Sequence, residues 1–354
     1  MVFTSGKTVH IGSRKVGTGE PAFIIAEAGV NHNGDLDLAE RLVDAAAGAG
    51  ADAVKFQTFH AERLVSLAAP KAEYQRERTD ATESQLDMLR RLELSPEAHR
   101  ELHSYCRQRG IIFLSTPFDT ASADLLEELE VPAFKIGSGE ITNWPLLEYV
   151  ARKGKPVILS TGMSYLSEVD EAVRTMQESG CEELILLHCV SNYPAKASDA
   201  NLRAIHTMAA AFGVPVGYSD HTLGIEVPVA AVALGACVIE KHLTLDRSLS
   251  GPDHHASFSP AEFAEMTRAI REVETALGDG RKQPMPAEVE VCRAARRSLV
   301  AACEIPAGTR IGEGMVAAMR PGTGLPPFLL PKVIGRVVRR RIGVGELLDW
   351  EMLC

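Results

Sequence analysis

Four residues carry much of the chemical information in this 354-residue chain: Lys55, Lys135, His221 and His242. Each lies in or just past a short apolar run: AVKFQ from Ala53, AFKIGS from Ala133, PVGYSD from Pro215 and VIEKHLT from Val238. Two ammonium groups beside hydroxyl-bearing residues suit a phosphate-bearing anion, whose charge they neutralise while Ser and Thr satisfy its oxygens. An ion pair with Glu27 is the competing use of Lys55. A Schiff base is the competing use of Lys135, against which the second lysine and the two histidines weigh. His221 and His242, 21 residues apart, can converge on one divalent cation if their runs are neighbouring strands. Water and substrate would then take the remaining coordination positions. A histidine at a strand end is also commonly a hydrogen-bonded structural residue, the reading that suits His188; His32 is a candidate for the substrate site.

Positioning these residues requires many strands. Short apolar runs begin at Phe23, Ala53, Ile111, Ala133, Pro156, Glu183, Pro215 and Val238, and a stretch with helical spacing follows each. The last is explicit: Ser259-Pro260-Ala261-Glu262 is a capping box, and Phe263, Met266, Ile270, Val273 and Leu277 form one stripe behind it. Eight βα units with nearly continuous apolar strands predict a (β/α)₈ TIM barrel over residues 1–280. A doubly wound open sheet lacks its dinucleotide fingerprint here, because IGSGE has the wrong glycine spacing. About 37 residues separate Gln57 from the helix near Ser95, including helix-compatible TDATESQLDMLRRLEL, a length that predicts a lid or subunit contact. Residues 281–295 read as a linker, and 296–354 as a small β-rich domain of marginal core size.

The bulk properties narrow the function classes. The net charge of −10 splits unevenly: residues 281–354 hold 12 Lys/Arg against 7 Asp/Glu, a balance of +5, leaving −15 on the first 280. The short basic run VVRRRIG has no interleaved aromatics, so no nucleic-acid partner is expected. No apolar run suggests a membrane span, nothing at the N-terminus marks export, and seven scattered cysteines fit a reducing, cytoplasmic setting.

Barrel enzymes place their chemistry at the C-terminal ends of strands, and here those ends are polar throughout. In strand order they offer Glu27; Lys55 and Gln57; Ser115 and Thr116; Lys135, Ser138 and Glu140; Ser160 and Thr161; His188, Ser191 and Asn192; Ser219, Asp220 and His221; and Glu240, Lys241 and His242. A purely structural barrel would carry Val, Ile and Leu at inward positions, so a polar contribution from all eight strands points to a site.

Nine segments, in order, resemble the sialic acid (nonulosonate) synthase family: AEAGVNHNGDLDLA, VKFQTF, STPFD, FKIGSGE, LSTGM, LHCVSNYP, GYSDHTLG, IEKHLTLD and GPDHHAS. The tail from Arg296 resembles the antifreeze-like (SAF) domain that ends most members. The resemblance implies phosphoenolpyruvate and an N-acetylated hexosamine-type sugar as substrates, a divalent metal (Mn2+ or Mg2+) on His221 and His242, and a domain-swapped homodimer. It implies that Lys55, Thr116, Lys135, Ser138, Ser160 and Ser219 line the phosphoenolpyruvate pocket, with Ser191 and Glu140 as further substrate-binding candidates. Glu27 and Asp253 would contact the sugar with Gln57 nearby, and Arg320 of MRPGTG would reach its N-acetyl group.

The implied reaction is consistent with elementary chemistry. Phosphoenolpyruvate C3 is a weak nucleophile, so the sugar aldehyde needs Lewis-acid activation. Water then captures C2, phosphate leaves by C–O cleavage, and Glu27 is placed to manage protons. GPDHHAS departs from the GPD-plus-apolar pattern of synthases acting on N-acetylmannosamine and is more similar to legionaminate and spore-coat relatives. Ser191 stands where some sialic acid synthases have Asn, and Lys196 where the family often has Pro. The competing readings are a lysine Schiff-base aldolase, a non-catalytic carbohydrate-binding barrel, and a synthase for sugar phosphates, for which no second Lys/Arg cluster is found on the strand ends.

Overall fold

The computed structural model describes residues 7–72, 75–76, 79–80 and 82–354, and the chain divides into two compact units, Met1–Gly278 and Asp279–Cys354. The first begins with an antiparallel hairpin, β1 (Thr8–Ile11) and β2 (Arg14–Gly17). Eight parallel strands follow: β3 (Phe23–Gly29), β4 (Ala53–Thr58), β5 (Ile112–Pro117), β6 (Phe134–Ile136), β7 (Val157–Ser160), β8 (Leu184–Cys189), β9 (Val216–Asp220) and β10 (Val238–His242). Their hydrogen-bonded order is β5-β4-β3-β10-β9-β8-β7-β6, and β5 packs against β6 to bring the ends of the sheet together. This is the (β/α)₈ barrel.

Because side chains alternate across a strand, each strand divides its residues between two cores. Phe23, Ile25, Leu114, Ile158 and Ile185 pack inside the barrel, where Val9, Ile11 and Val16 of the hairpin join them and plug the lower end. Ile24, Ala26, Val54, Phe113, Leu186 and Ile239 face the surrounding helices. The inner space is tight. A Cβ added at Gly217 would lie 2.6 Å from Val238 Cβ and 2.7 Å from Leu187 Cδ2.

The helices begin where their caps dictate. Asp35 caps Leu36–Gly48, Ser95 caps Pro96–Arg109, and the Ser259/Glu262 box opens Pro260–Leu277. The long connection after β4 has structure of its own: a short helix at Ala61–Leu64 and a second at Gln85–Leu92, capped by Ser84. The second is shorter than its helix-compatible sequence; part of that stretch, Ala81, lies outside the described residues. Met88 and Leu92 are buried against Val30 and Phe59 in a small apolar cluster. Lys71 donates to Thr79 Oγ1, Asp80 O and Glu83 Oε2, and Glu83 also accepts from Arg91. Gly34, at φ +78°, has no room for a Cβ because the Arg91 carbonyl sits against it.

In the second unit, β11 (Ser298–Ala301) pairs with β12 (Val316–Met319) over a core that includes Leu299, Ile305, Ile311, Val338, Ile342 and Leu348. Beyond this ladder its pairing consists of single bridges such as Ile305↔Ile342 and Arg310↔Val337, since Gly and Pro interrupt each run. Within the stretch read as a linker, 281–295, Val289–Ala295 forms two turns of helix. None of the helices among the described residues is long and apolar enough to cross a membrane.

Gly217→Ala is expected to overpack the barrel interior and cost about 1–3 kcal/mol, read as a lower melting temperature. Unchanged melting would mean that Val238 and Leu187 can move aside.

Candidate active site

Strand register assembles the site. Glu27 is level with Lys55 on one side and His242 on the other, Gln57 with Thr116, and Ser219 with both Cys189 and Glu240. These inward positions lie directly above the apolar layer of Ile25, Leu114 and Ile158, so five ionisable groups (Glu27, Lys55, Lys135, Glu240 and Asp253) are more than nine-tenths buried. Burial of charge is tolerated only with partners. Lys55 Nζ lies 2.6 Å from Glu27 Oε2 and 3.9 Å from Glu240 Oε2, and donates to Thr116 Oγ1 at 3.0 Å. Lys135 Nζ lies 3.3 Å from Glu240 Oε1 and donates to Ser160 Oγ at 2.8 Å. Ser219 donates to Glu240 Oε1 and Gln57 to Glu27 Oε1.

Acidities follow from this arrangement. Burial would raise Glu240, but Lys135 and Lys55 outweigh it and bring its pKa to about 2. Burial would lower Lys55, but Glu240 and Glu27 hold its pKa above the ordinary lysine value. For Lys135 burial prevails and the pKa falls. Glu27 is raised by burial despite Lys55, and Asp253 is raised to about 7 by burial and by the nearby Glu27. A carboxylate, Glu240, thus holds the two lysines together at the base of the cavity. The Lys55–Glu27 ion pair weighed in the sequence is present, on the same lysine that shares Glu240 with Lys135.

The histidines do converge, with ring centroids 5.5 Å apart, and Tyr193 packs against both. His221 Nδ1 bonds to the Val190 carbonyl at 2.8 Å, which turns Nε2 to the other side of the ring. His242 Nδ1 is buried without a hydrogen-bond partner and lies 4.0 Å from Asp253 Oδ2. Burial lowers both pKa values, that of His242 strongly with His221 as a second cause, so both rings are neutral and able to ligate. An orphaned buried nitrogen beside a second neutral imidazole fits a divalent ion. Among the described residues no cluster of three or more His, Cys, Asp or Glu side chains is arranged to hold a metal.

These groups open into a cavity of about 550 Å³, within the range of small-molecule sites. Its lining includes Glu27, Lys55, Gln57, Thr116, Lys135, Ser138, Ser160, Ser191, Ser219, His221, His242 and Asp253. Ser138 Oγ accepts from the Gly162 amide at 2.8 Å, and a Cβ at Gly162 would meet Cys189 Sγ at 2.9 Å and collide with Ser191 Oγ. Within the first unit two candidates, Glu140 and His32, fall outside the cavity lining. Glu140 is not among the lining residues, because its place on the turn after β6 lets its carboxylate accept from Asn143 Nδ2 at 2.6 Å. Arg320 belongs to the second unit, where it is exposed and donates to Ala295 O. His32 is fully buried in the turn after β3, with Nδ1 accepting from Gly34, and does not line the cavity. His188 Nε2 bonds to Ala200 O on the outer face of β8.

The sequence placed Glu240 on the ring of strand ends but assigned it no role. Period-2 alternation was the available signal, since it puts Glu240 and His242 on one face and Lys241 on the other. Lys241 is paired with Asp220 at 2.6 Å on the outer face and also donates to the Thr222 carbonyl. The cavity's upper wall was not assigned from sequence either: Leu64, Val65, Gln75, Gln85, Met88 and Leu89 all come from the long connection after β4.

Residues 42–282 match the model of the NeuB family, and residues 296–353 match the SAF domain. The chain belongs to the NeuB family. Membership makes it a nonulosonic acid synthase with a C-terminal SAF domain. It is 48% identical over 344 residues to the N,N'-diacetyllegionaminic acid synthase of Legionella pneumophila, covering 96% of this chain and 97% of that one. It is 47% identical over 327 residues to the protein of the same name from Campylobacter jejuni, covering 92% and 98%. Its structure is similar to that of the spore coat polysaccharide biosynthesis protein spsE of Bacillus subtilis, with a TM-score of 0.68, 39% identity, and 98% and 99% of the chains covered.

A buried lysine pair beside hydroxyls is chemically able to take an oxyanion. Inorganic phosphate at ten times its Kd should stabilise the protein by about 1.4 kcal/mol, seen as a rise in melting temperature at constant ionic strength. Lys135→Met should abolish the rise; an equal rise in the variant would place the anion elsewhere.

Proposed function

We propose that this protein condenses phosphoenolpyruvate with 2,4-diacetamido-2,4,6-trideoxymannose to give N,N'-diacetyllegionaminate and phosphate. The observation that carries this is the buried Lys55–Glu240–Lys135 bridge beside two neutral histidines in one cavity. The two legionaminic acid synthases, at 48% and 47% identity over nearly their full lengths, support this acceptor. So does the wall of Leu64, Val65, Met88 and Leu89, which suits a 6-deoxy sugar carrying acetyl methyls better than a polyhydroxylated one. Lys55 and Lys135 are the lysines of the cavity lining, and one phosphate-bearing substrate accounts for both.

Lys135, Ser160, Ser138 and the Gly162 turn hold the phosphate, and Lys55 with Thr116 holds the carboxylate of phosphoenolpyruvate. His221 and His242 ligate a divalent ion, which supplies Lewis-acid activation and orientation of the aldehyde when bound. C3 of phosphoenolpyruvate bonds to the aldehyde carbon, whose oxygen takes up a proton. Water adds to C2; Glu27, raised by burial and oriented by Lys55 and Gln57, accepts its proton. The C2–O bond to phosphate then breaks, the C2 hydroxyl passes its proton to the leaving phosphate, and C2 becomes the keto carbon. Asp253 holds a sugar hydroxyl. Burial of the whole layer keeps bulk water from these groups. The SAF unit acts in a domain-swapped homodimer, with Arg320 reaching the acceptor's N-acetyl group.

Phosphate release from phosphoenolpyruvate with Mn2+ should require the diacetamido sugar, should be slower with N-acetylmannosamine, and should stop with a chelator. Preference for N-acetylmannosamine would make the product a sialate; no release with either sugar would overturn the condensation. Glu27→Gln should lower kcat by about 100-fold or more without a matching rise in KM for phosphoenolpyruvate. Unchanged turnover would remove Glu27 from proton transfer.

A further inference from the structure

The roof of the cavity contains two carboxamides, Gln75 and Gln85, among apolar neighbours. Gln85 opens the helix Gln85–Leu92, and among the described residues its side-chain amide has no hydrogen-bond partner. Gln75 Oε1 accepts from the Ala72 amide at 3.0 Å, and among the described residues its NH2 group has no partner. Leu64, Met88 and Leu89 line the same part of the wall. The roof helix has a fixed seat: Met88 and Leu92 pack on Val30 and Phe59, and the Arg91 carbonyl sits against Gly34.

The charged and imidazole groups that suit the reacting atoms form the floor, so an acceptor with its aldehyde there extends its far carbons toward the roof. An acetamido group offers an N–H donor, a carbonyl acceptor and a methyl. A free carboxamide supplies the complementary acceptor and donor, and an apolar patch takes the methyl. A hydroxyl at the same carbon would leave that patch unfilled and leave the half-buried glutamine to pair with water instead of the sugar. On the basis of the condensation above, we propose that Gln85, assisted by Gln75, reads the second acetamido group of the acceptor, at C4, and so sets substrate choice among amino sugars.

The test compares kcat/KM for 2,4-diacetamido-2,4,6-trideoxymannose and its 4-hydroxy counterpart, 2-acetamido-2,6-dideoxymannose, in the full chain with phosphoenolpyruvate and Mn2+. The unsubstituted protein should prefer the diacetamido sugar by about 10-fold or more. In Gln85→Leu and in the near-isosteric Gln85→Met the preference should shrink to about threefold or less, through KM for the diacetamido sugar, with KM for phosphoenolpyruvate unchanged. Retention of the full preference in both variants would overturn the assignment. Equal losses for both sugars with a raised KM for phosphoenolpyruvate would also overturn it, since the residue would then be shaping the site rather than reading the acetamido group. Inactivity of the unsubstituted protein toward both sugars would instead overturn the condensation itself.

Discussion

A charge removed from water must be compensated nearby, and the mouth of this barrel is organised around that requirement. The apolar layer formed by Ile25, Leu114 and Ile158, closed from below by the N-terminal hairpin, leaves the groups above it no solvent on that side. Two lysines and three carboxyls share the layer above. Glu240 reaches both lysines and Glu27 takes one, and burial together with the nearby Glu27 pushes Asp253, the third carboxyl, up to about 7. Each lysine also donates to a hydroxyl, Lys55 to Thr116 and Lys135 to Ser160, so an incoming oxyanion would reach the ammonium groups by sharing or displacing these bonds. The same burial that makes the site costly to fold requires every charge placed in it, a ligand's included, to be paired there.

The histidine pair depends on contacts outside the barrel as well as within it. Val190 holds His221 Nδ1 through its carbonyl, and Tyr193 from the same loop packs on both rings. Behind the pair, Lys241 and Asp220 form a fully buried ion pair between β9 and β10, with Phe258 stacked 4.0 Å from the ammonium. Each member precedes one of the two histidines in sequence. The strand ends that carry His221 and His242 are therefore tied on the outer face while the imidazoles meet on the inner one. One dipeptide, Lys241-His242, serves both faces because successive side chains of a strand point in opposite directions.

The connection after β4 divides the cavity into chemically different halves. The floor is charged and comes from strand ends. The roof is apolar with two amides and comes from a segment anchored by Lys71, Glu83 and Arg91 and by the Met88 cluster. Chemistry common to a family needs an invariant floor, whereas choice among similar sugars needs a wall that can vary without disturbing it. A long connection outside the barrel's hydrogen-bonded frame meets that second need.

The sequence alone determined the repeating strand-and-helix pattern, hence the barrel, because apolar periodicity and capping residues such as Ser95 and Ser259 are local properties. It also determined which polar side chains stand at strand ends, since those positions follow from the runs themselves. Even the resemblance carried by GYSDHTLG and IEKHLTLD is local in this sense. What only the tertiary structure decided is which of these groups meet. Glu240 touches Lys55 and Lys135 across 185 and 105 residues of chain, Glu140 turns to Asn143 instead of the cavity, and Gln85 arrives at the roof from a connection read as a lid or a subunit contact. Such pairings are set by strand register and closure distances, which no periodicity records, and at charged sites they decide both the acidity of each group and what it can bind.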